Sequence, residues 1–140
     1  TMQAWFGGYD RKHPHFSVEI DGTKIPNSYF TVVLNSNPYT YVGKTPVNLS
    51  TAASIDKKLV AVTFRKLTTP LMVRTILQSV RNDQISASPG IDIRTEVEDV
   101  KINFATPFPY QLDGDYLGEQ TSLHIEHCPD ALRLVKPIIV

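Results

Sequence analysis

Two carboxylates stand two residues apart in the segment 110–116, which reads YQLDGDY. From one turn, Asp113 and Asp115 could project toward a common point, where they could hold a metal ion or divide the roles of base and ligand. An alcohol attacks a phosphoryl group poorly until a base accepts its proton, and a carboxylate within hydrogen-bond reach can be that base. Asp-Gly is also the strongest short hairpin signal, and the chain repeats it at Asp21-Gly22. On spacing alone, a plain turn is the favoured interpretation.

The other residues with chemical potential do not form a recognisable site. Residues 43–45, Gly-Lys-Thr, look like the end of a phosphate-binding loop, but that loop needs a glycine where this chain has Pro38. His13 and His15 could face one metal ion, but no third ligand is in view, so we interpret them as surface histidines. Cys128 is the only cysteine, and we expect it to be a small buried residue.

The elements that would position these residues are mostly strands. Apolar residues alternate with polar ones at a period of two, which places every second side chain on one face of a strand. Two segments, 29–34 and 59–64, are nearly all apolar or β-branched, as expected for strands covered on both faces. The alternating apolar positions are Phe16, Val18 and Ile20; Val100, Ile102 and Phe104; Leu123 and Ile125; and Leu132 and Leu134.

One segment has the periodicity of a helix. We expect Thr69 to be the N-cap and Pro70 to take the first helical position, and the helix should end near Asn82. Its apolar residues recur at helical spacing and should pack on a sheet, with the polar residues on the opposite side. The expected packed face consists of Val73, Ile76, Leu77 and Val80, and the expected outer side consists of Arg74, Gln78 and Arg81.

The composition predicts one soluble domain covering residues 1–140. Its 41% hydrophobic content is enough for one compact core, and the length is too short for two ordinary domains. The 14 basic and 14 acidic residues cancel, and no segment concentrates Lys and Arg, which argues against nucleic acid as a partner. A single cysteine and the lack of a signal-peptide pattern favour a reducing cytoplasm. The expected fold is mainly β: an antiparallel β-sandwich of about eight strands with one packed α-helix.

The carboxylate turn belongs to a longer pattern of segments. The closing part is the most specific and consists of 110–115 (YQLDGD), 123–126 (LHIE) and 129–135 (PDALRLV). Upstream, 30–35 (FTVVLN) and 53–62 (ASIDKKLVAV) follow in the same order. Together these segments, spread over roughly residues 28–135, resemble the second lobe of the diacylglycerol kinase family of bacterial and eukaryotic lipid kinases.

The resemblance implies one lobe of a two-lobe enzyme that moves the γ-phosphate of ATP to a lipid hydroxyl. In that family the first lobe carries a Gly-Gly-Asp-Gly-Thr motif for the nucleotide, which this chain lacks. Trp5 and Phe6 lie almost at the first residue, as though a segment before them were missing, although they could also dock on this domain's own core. We therefore expect this chain to be the C-terminal lobe, without its nucleotide-binding lobe, and to be inactive alone.

The resemblance also assigns roles to individual residues. Asp113 matches the family's aspartate in an Asp-Gly-Glu turn and is the first candidate for general base, while Asp115 matches the glutamate; which of the two accepts the proton stays open. ATP and Mg²⁺ are expected as cofactors of the full-length enzyme, with neither bound to this fragment. The family often has Asp-Gly before the strand at 59–62, where it binds a structural Mg²⁺. This chain has Lys57-Lys58 there, with Asp56 out of register, and a lysine ammonium would repel a divalent cation, so we assign no metal to that place and leave open whether a Mg²⁺ site survives near Lys57.

Three functions follow from these observations. The first is the catalytic lobe of a diacylglycerol kinase, with an apolar slot between sheets and both carboxylates at its mouth. The second is the same lobe acting on a sphingoid base or another lipid alcohol. The third is a β-sandwich binding module without chemistry, in which Asp113-Gly114 is only a turn. The expected partners are a lipid alcohol, the nucleotide-binding lobe and, through peripheral contact, a membrane; a homodimer is possible.

Overall fold

A computed structural model describes residues 16–82 and 84–131. Within these ranges the chain forms nine β-strands and one α-helix, which confirms the expected mainly β, antiparallel fold. His13, His15, Leu132 and Leu134, like Trp5 and Phe6, lie outside the described residues. The elements are β1 (Phe16–Ile20), β2 (Thr23–Ser28), β3 (Phe30–Leu34), β4 (Thr40–Val42), β5 (Thr45–Val47), β6 (Leu59–Phe64), α1 (Thr69–Arg81), β7 (Ile91–Val97), β8 (Asp99–Leu112) and β9 (Asp115–Glu126).

The first sheet has the strand order β2-β1-β8-β9, and all its pairs are antiparallel. The turn between β1 and β2 is Asp21-Gly22, with φ angles of 46° and 76°. Positive φ at both central residues defines a type I′ hairpin, so the turn predicted there is confirmed. The alternation of β1 is confirmed as well, because Val18 and Ile20 are buried.

The second sheet, β3-β6-β7, lies between two hydrophobic cores. Its central strand β6 sends Ala61 into the core shared with the first sheet and Val60 and Val62 into the core on the other face. The prediction that 59–64 is covered on both faces is therefore confirmed. The core between the sheets contains Val18, Ile20, Ile25, Ala61, Val97, Val100, Ile102 and Phe108. The second core contains Val32, Leu34, Leu49, Ala53, Val60, Val62, Phe64, Ile85 and Ile91.

Helix α1 covers the second core, with Leu71 and Met72 packed against it. The N-cap is Thr68, one residue earlier than predicted, and its side chain makes no capping hydrogen bond. The helix ends as predicted, with Asn82 as the C-cap. Within 16–82 and 84–131, no helix is both long enough and apolar enough to span a bilayer.

The predicted packed face of α1 is wrong. The buried side chains of the helix are Thr75 and Ser79, on the side away from the apolar stripe. The stripe itself points to solvent, with exposed fractions of 51% for Val73, 57% for Ile76, 45% for Leu77 and 41% for Val80.

A close backbone contact explains why the helix turns its small polar side inward. The N–H of Asn48 donates to the carbonyl of Ser79 at 2.7 Å, near the end of the helix where carbonyls lack intrahelical partners. Long side chains on this side would hold the two segments apart. The buried hydroxyls are satisfied within the helix, because Thr75 donates to the Leu71 carbonyl at 2.8 Å and Ser79 to the Ile76 carbonyl at 2.9 Å.

Candidate functional site

Strands β8 and β9 extend beyond the first sheet as a two-stranded arm. β1 pairs with β8 only from Val100 to Asn103, so the rest of β8 pairs with β9 alone among the described strands. The arm, residues 104–121, is exposed at most positions. A two-stranded ribbon is marginally stable by itself. The arm therefore needs an anchor in the domain, or a partner that covers it.

The arm is anchored at Phe108. Asn103 pairs with Ser122 and Phe108 with Gln120, so four residues of β8 stand opposite one residue of β9 at the base of the arm. This bulge interrupts the alternation, and Phe104, predicted to continue the inward face, is 38% exposed. Phe108 turns back into the core at 6% exposure and packs on the Phe16 ring with centroids 5.5 Å apart.

The carboxylate turn forms the tip of the arm. Leu112 pairs with Asp115 across a two-residue turn in which Asp113 has a φ of 51° and Gly114 a φ of 91°. These angles are those of a type I′ hairpin, so the hairpin interpretation of Asp113-Gly114 is confirmed as local structure. Both carboxylates are exposed, and the turn brings them to the same end of the arm.

Large apolar side chains surround the two carboxylates. Leu112, Tyr116 and Leu117 are between 50% and 66% exposed. Leu117 is the extra residue of a second bulge, because Tyr110 pairs with Gly118 and Gln111 with Tyr116. No hydrogen bond or ion pair within the described part of the chain uses the carboxylate of Asp113 or Asp115. The tip therefore presents two carboxylates, without partners among the described residues, beside an apolar surface.

The expected apolar slot with these carboxylates at its mouth does not coincide with either of two concavities in the structure. One is a groove of about 730 Å³ along α1. The other, of about 250 Å³, lies by β1, β2 and Phe104. Neither is lined by Asp113 or Asp115.

Two of the weaker motifs prove to be structural. Gly43 and Lys44 are the central residues of the turn between β4 and β5, and Gly43 has a φ of 63°. This agrees with rejecting the segment as a phosphate-binding loop. The expectation that Cys128 is buried is wrong, because its side chain is exposed.

Lys58 lies where the sequence resemblance would place a structural Mg²⁺, and its ammonium is held in an ion pair. The ammonium of Lys58 lies 2.6 Å from a carboxylate oxygen of Glu98, and this hydrogen bond and ion pair raise the lysine pKa. A second positive charge held beside this ammonium would be repelled.

A charged cluster on the outer face of the first sheet was not predicted. The His124 ring nitrogen Nε2 contacts a carboxylate oxygen of Asp99 and lies 3.3 Å from a carboxylate oxygen of Glu126. The other Asp99 oxygen is 3.0 Å from the Lys101 ammonium. Hydrogen bonds from His124 and then Lys101 lower the Asp99 pKa. These ligand types could hold a metal ion, but Lys101 already neutralises Asp99, so we interpret the cluster as an ion-pair network.

Comparison with known proteins adds no identification: no protein-family model matches the chain, and no curated protein matches it.

Proposed function

We propose that this chain is the C-terminal lobe of an ATP-dependent lipid kinase that phosphorylates the hydroxyl of diacylglycerol or a related lipid. The observation that carries the proposal is the placement of Asp113 and Asp115 at the exposed tip of the β8–β9 arm, with no partner among the described residues. The resemblance of the turn and its flanking segments to the closing motif of the diacylglycerol kinase family supports the same reading.

In this proposal the turn acts as a general base that removes one proton from the lipid hydroxyl. The lipid oxygen forms a bond to the γ-phosphorus of ATP while the bond from that phosphorus to the bridging oxygen breaks, and ADP leaves. The Asp113 carboxylate accepts the hydroxyl proton as this bond forms and then releases it to water. Asp115 is the alternative base, since it lies at the same tip and is equally accessible.

The surroundings of the turn support a lipid acceptor over a fully polar one. Leu112, Tyr116 and Leu117 offer apolar surface next to the carboxylates, which suits an alcohol attached to a hydrocarbon body. A sphingoid base shares this chemistry, so it is the alternative acceptor. Contact with the membrane would be peripheral and on its cytoplasmic side.

The nucleotide would be bound by a separate lobe that carries the glycine-rich motif. Mg²⁺ bound with the nucleotide would neutralise phosphate charge during transfer. No step is assigned to a metal beside Lys58, because the residues there do not fit one. The exposed two-stranded arm supports the assignment of nucleotide binding to a separate lobe. It carries the carboxylates away from the sandwich, toward a partner surface.

A radiolabelled-ATP assay tests the proposal. The full-length gene product and this 140-residue chain are assayed in parallel on micelles that contain diacylglycerol or a sphingoid base. We expect phosphorylated lipid with the full-length protein only, and no ATP binding by the chain alone in a titration. Phosphate transfer to the sphingoid base alone would identify that lipid as the acceptor in place of diacylglycerol. Transfer to neither lipid would contradict the proposal.

The competing function is a binding module without chemistry. The observation that favours it is the type I′ geometry of Asp113-Gly114, which accounts for this residue pair without any catalytic role. Under this alternative, replacing Asp113 with Asn would leave every activity of the full-length protein unchanged.

A further inference from the structure

The outer face of α1 presents an apolar stripe that stays exposed within residues 16–82 and 84–131. Val73, Ile76, Leu77 and Val80 are 41% to 57% exposed, although their spacing is that of a packed face. The domain is packed on the opposite side of the helix through Leu71, Met72, Thr75 and Ser79. The stripe therefore faces away from both hydrophobic cores, and the described part of the chain leaves it accessible to a partner.

Two arginines border this stripe. A shallow groove of about 730 Å³ runs along the helix and is lined by Val73, Leu77, Arg74 and Arg81, among others. Lys58, Arg94 and Lys101 pair with carboxylates. By contrast, no ion pair within the described part of the chain engages Arg74 or Arg81.

The sequence around the helix is cationic. From Arg65 to Asn82 it contains four basic residues and no acidic one, and Asp83 is the first carboxylate after it. The whole chain has no net charge, so this local excess is balanced elsewhere. A helix with an apolar stripe and basic residues beside it is typical of segments that lie in the interface of an anionic membrane.

We propose that the outer face of α1 docks on the headgroup region of an anionic bilayer. The apolar side chains would enter the boundary between headgroups and acyl chains, while Arg74 and Arg81 would contact lipid phosphates. The inference deepens the proposed function and rests on it in expecting a lipid partner, because docking would bring the kinase to the surface that contains its acceptor.

The charges favour a bilayer over a second copy of this chain. In a two-fold dimer through this face with antiparallel helices, the arginines of the two copies would lie on the same edge of the contact, with no carboxylate on the helix to pair with them. An anionic lipid surface supplies negative charge along the whole length of the helix, about 20 Å at 1.5 Å per residue.

Vesicle cosedimentation tests the proposal without ATP. The 140-residue chain is mixed with vesicles of phosphatidylcholine alone or with phosphatidylglycerol added, at low and high salt. We expect binding to the phosphatidylglycerol vesicles, weaker binding at high salt and little binding to phosphatidylcholine. Ile76→Ser with Leu77→Ser should reduce binding roughly tenfold. Arg74→Gln with Arg81→Gln should remove the preference for anionic vesicles.

Matched controls separate this face from general effects. Ile55→Ser removes an apolar side chain that is 67% exposed, and Lys24→Gln with Lys44→Gln removes two exposed charges elsewhere. Both should bind like the wild type, and unfolding curves should show that all variants are folded.

Three outcomes would overturn the proposal. The first is wild-type protein that does not bind phosphatidylglycerol vesicles, and the second is an equal loss of binding in the controls. The third is a dimer in sedimentation velocity that the Ile76 and Leu77 serine variant abolishes, which would make a second copy the occupant. Vesicle binding without lipid phosphorylation by the full-length protein would keep this inference and reject the kinase.

Discussion

Asp21 and Asp99 are joined by a reciprocal pair of hydrogen bonds between residues 78 positions apart. The N–H of Asp99 donates to the Asp21 carboxylate at 2.9 Å, and the N–H of Asp21 donates to the Asp99 carbonyl at 3.0 Å. The same carboxylate oxygen accepts the N–H of Glu98 at 3.0 Å. The turn between β1 and β2 therefore holds the connection between the two sheets, where β7 ends and β8 begins.

Replacing Asp21 with Gly should lower the free energy of unfolding by about 1–2 kcal/mol, because two backbone donors lose a charged acceptor. Glycine adopts the positive φ of the turn without strain, so the turn itself is retained. Asp21→Asn should cost less, since its amide oxygen can still accept. Urea unfolding measures all three proteins.

Asp113→Gly is the matched control for this prediction. It changes the same position of the same turn type, but the Asp113 carboxylate has no hydrogen bond within the described ranges. We expect a change within about 0.5 kcal/mol. If Asp21→Gly and Asp113→Gly lowered the free energy of unfolding equally, the hydrogen bonds from Glu98 and Asp99 to Asp21 would not contribute to stability.

Under the proposed kinase function, Asp113→Asn in the full-length protein should reduce turnover by roughly 100-fold, because the amide could not accept the hydroxyl proton. Asn tolerates the left-handed backbone of this turn, so the melting temperature should not change. Steady-state kinetics for Asp113→Asn and Asp115→Asn would identify the base as the residue whose loss lowers kcat. Unchanged kcat in both variants would remove the turn from the mechanism.

The lowered pKa of Asp99 predicts that the stability of the domain depends on pH. Its pKa is lowered in the folded state by His124 and Lys101, so the ionised form stabilises the fold above the ordinary pKa of an aspartate. This contribution is lost as the pH falls through the lowered value. Urea unfolding at a series of pH values measures this contribution. The free energy of unfolding should be larger for the wild type than for Asp99→Asn near neutrality, and the two values should converge in acid.

His124→Gln tests the cause of the lowered pKa directly. It removes the main hydrogen bond to the carboxylate, so the Asp99 pKa should rise in an NMR titration of the side-chain carboxyl carbon. Lys101→Gln should raise it less. Asp56→Asn, at an exposed loop position, serves as the control and should leave the Asp99 titration unchanged.

Gly90→Ala should destabilise the domain by about 1–2 kcal/mol through overpacking. A Cβ at this position, directly before β7, would lie 2.7 Å from Cδ2 of Leu71 in α1 and 3.3 Å from Cβ of Lys66. Shortening the opposing side chain tests the cause. In a double-mutant cycle, Leu71→Ala with Gly90→Ala should cost less than the sum of the single changes, whereas strict additivity would exclude this contact.

The local features of the fold could be predicted from the sequence. Period-two alternation correctly identified the inward residues Val18 and Ile20, and continuous apolar character correctly identified a strand buried on both faces at 59–64. The Asp-Gly pairs at 21–22 and 113–114 correctly predicted tight hairpins. These signals depend on the residue itself and its nearest neighbours in the chain, so they can be recognised without knowing the fold.

The orientation of α1, the bulge at Phe104 and the cluster at Asp99 were decided only by the tertiary structure. Helical periodicity located the helix, but the close approach of Asn48 to Ser79 selected the small polar face for packing. Strand register brought His124 to Asp99 across 25 positions, and the bulge turned Phe104 outward. The reason is that each outcome depends on which distant segments come into contact, and pairing between distant segments leaves no periodic signal in either one.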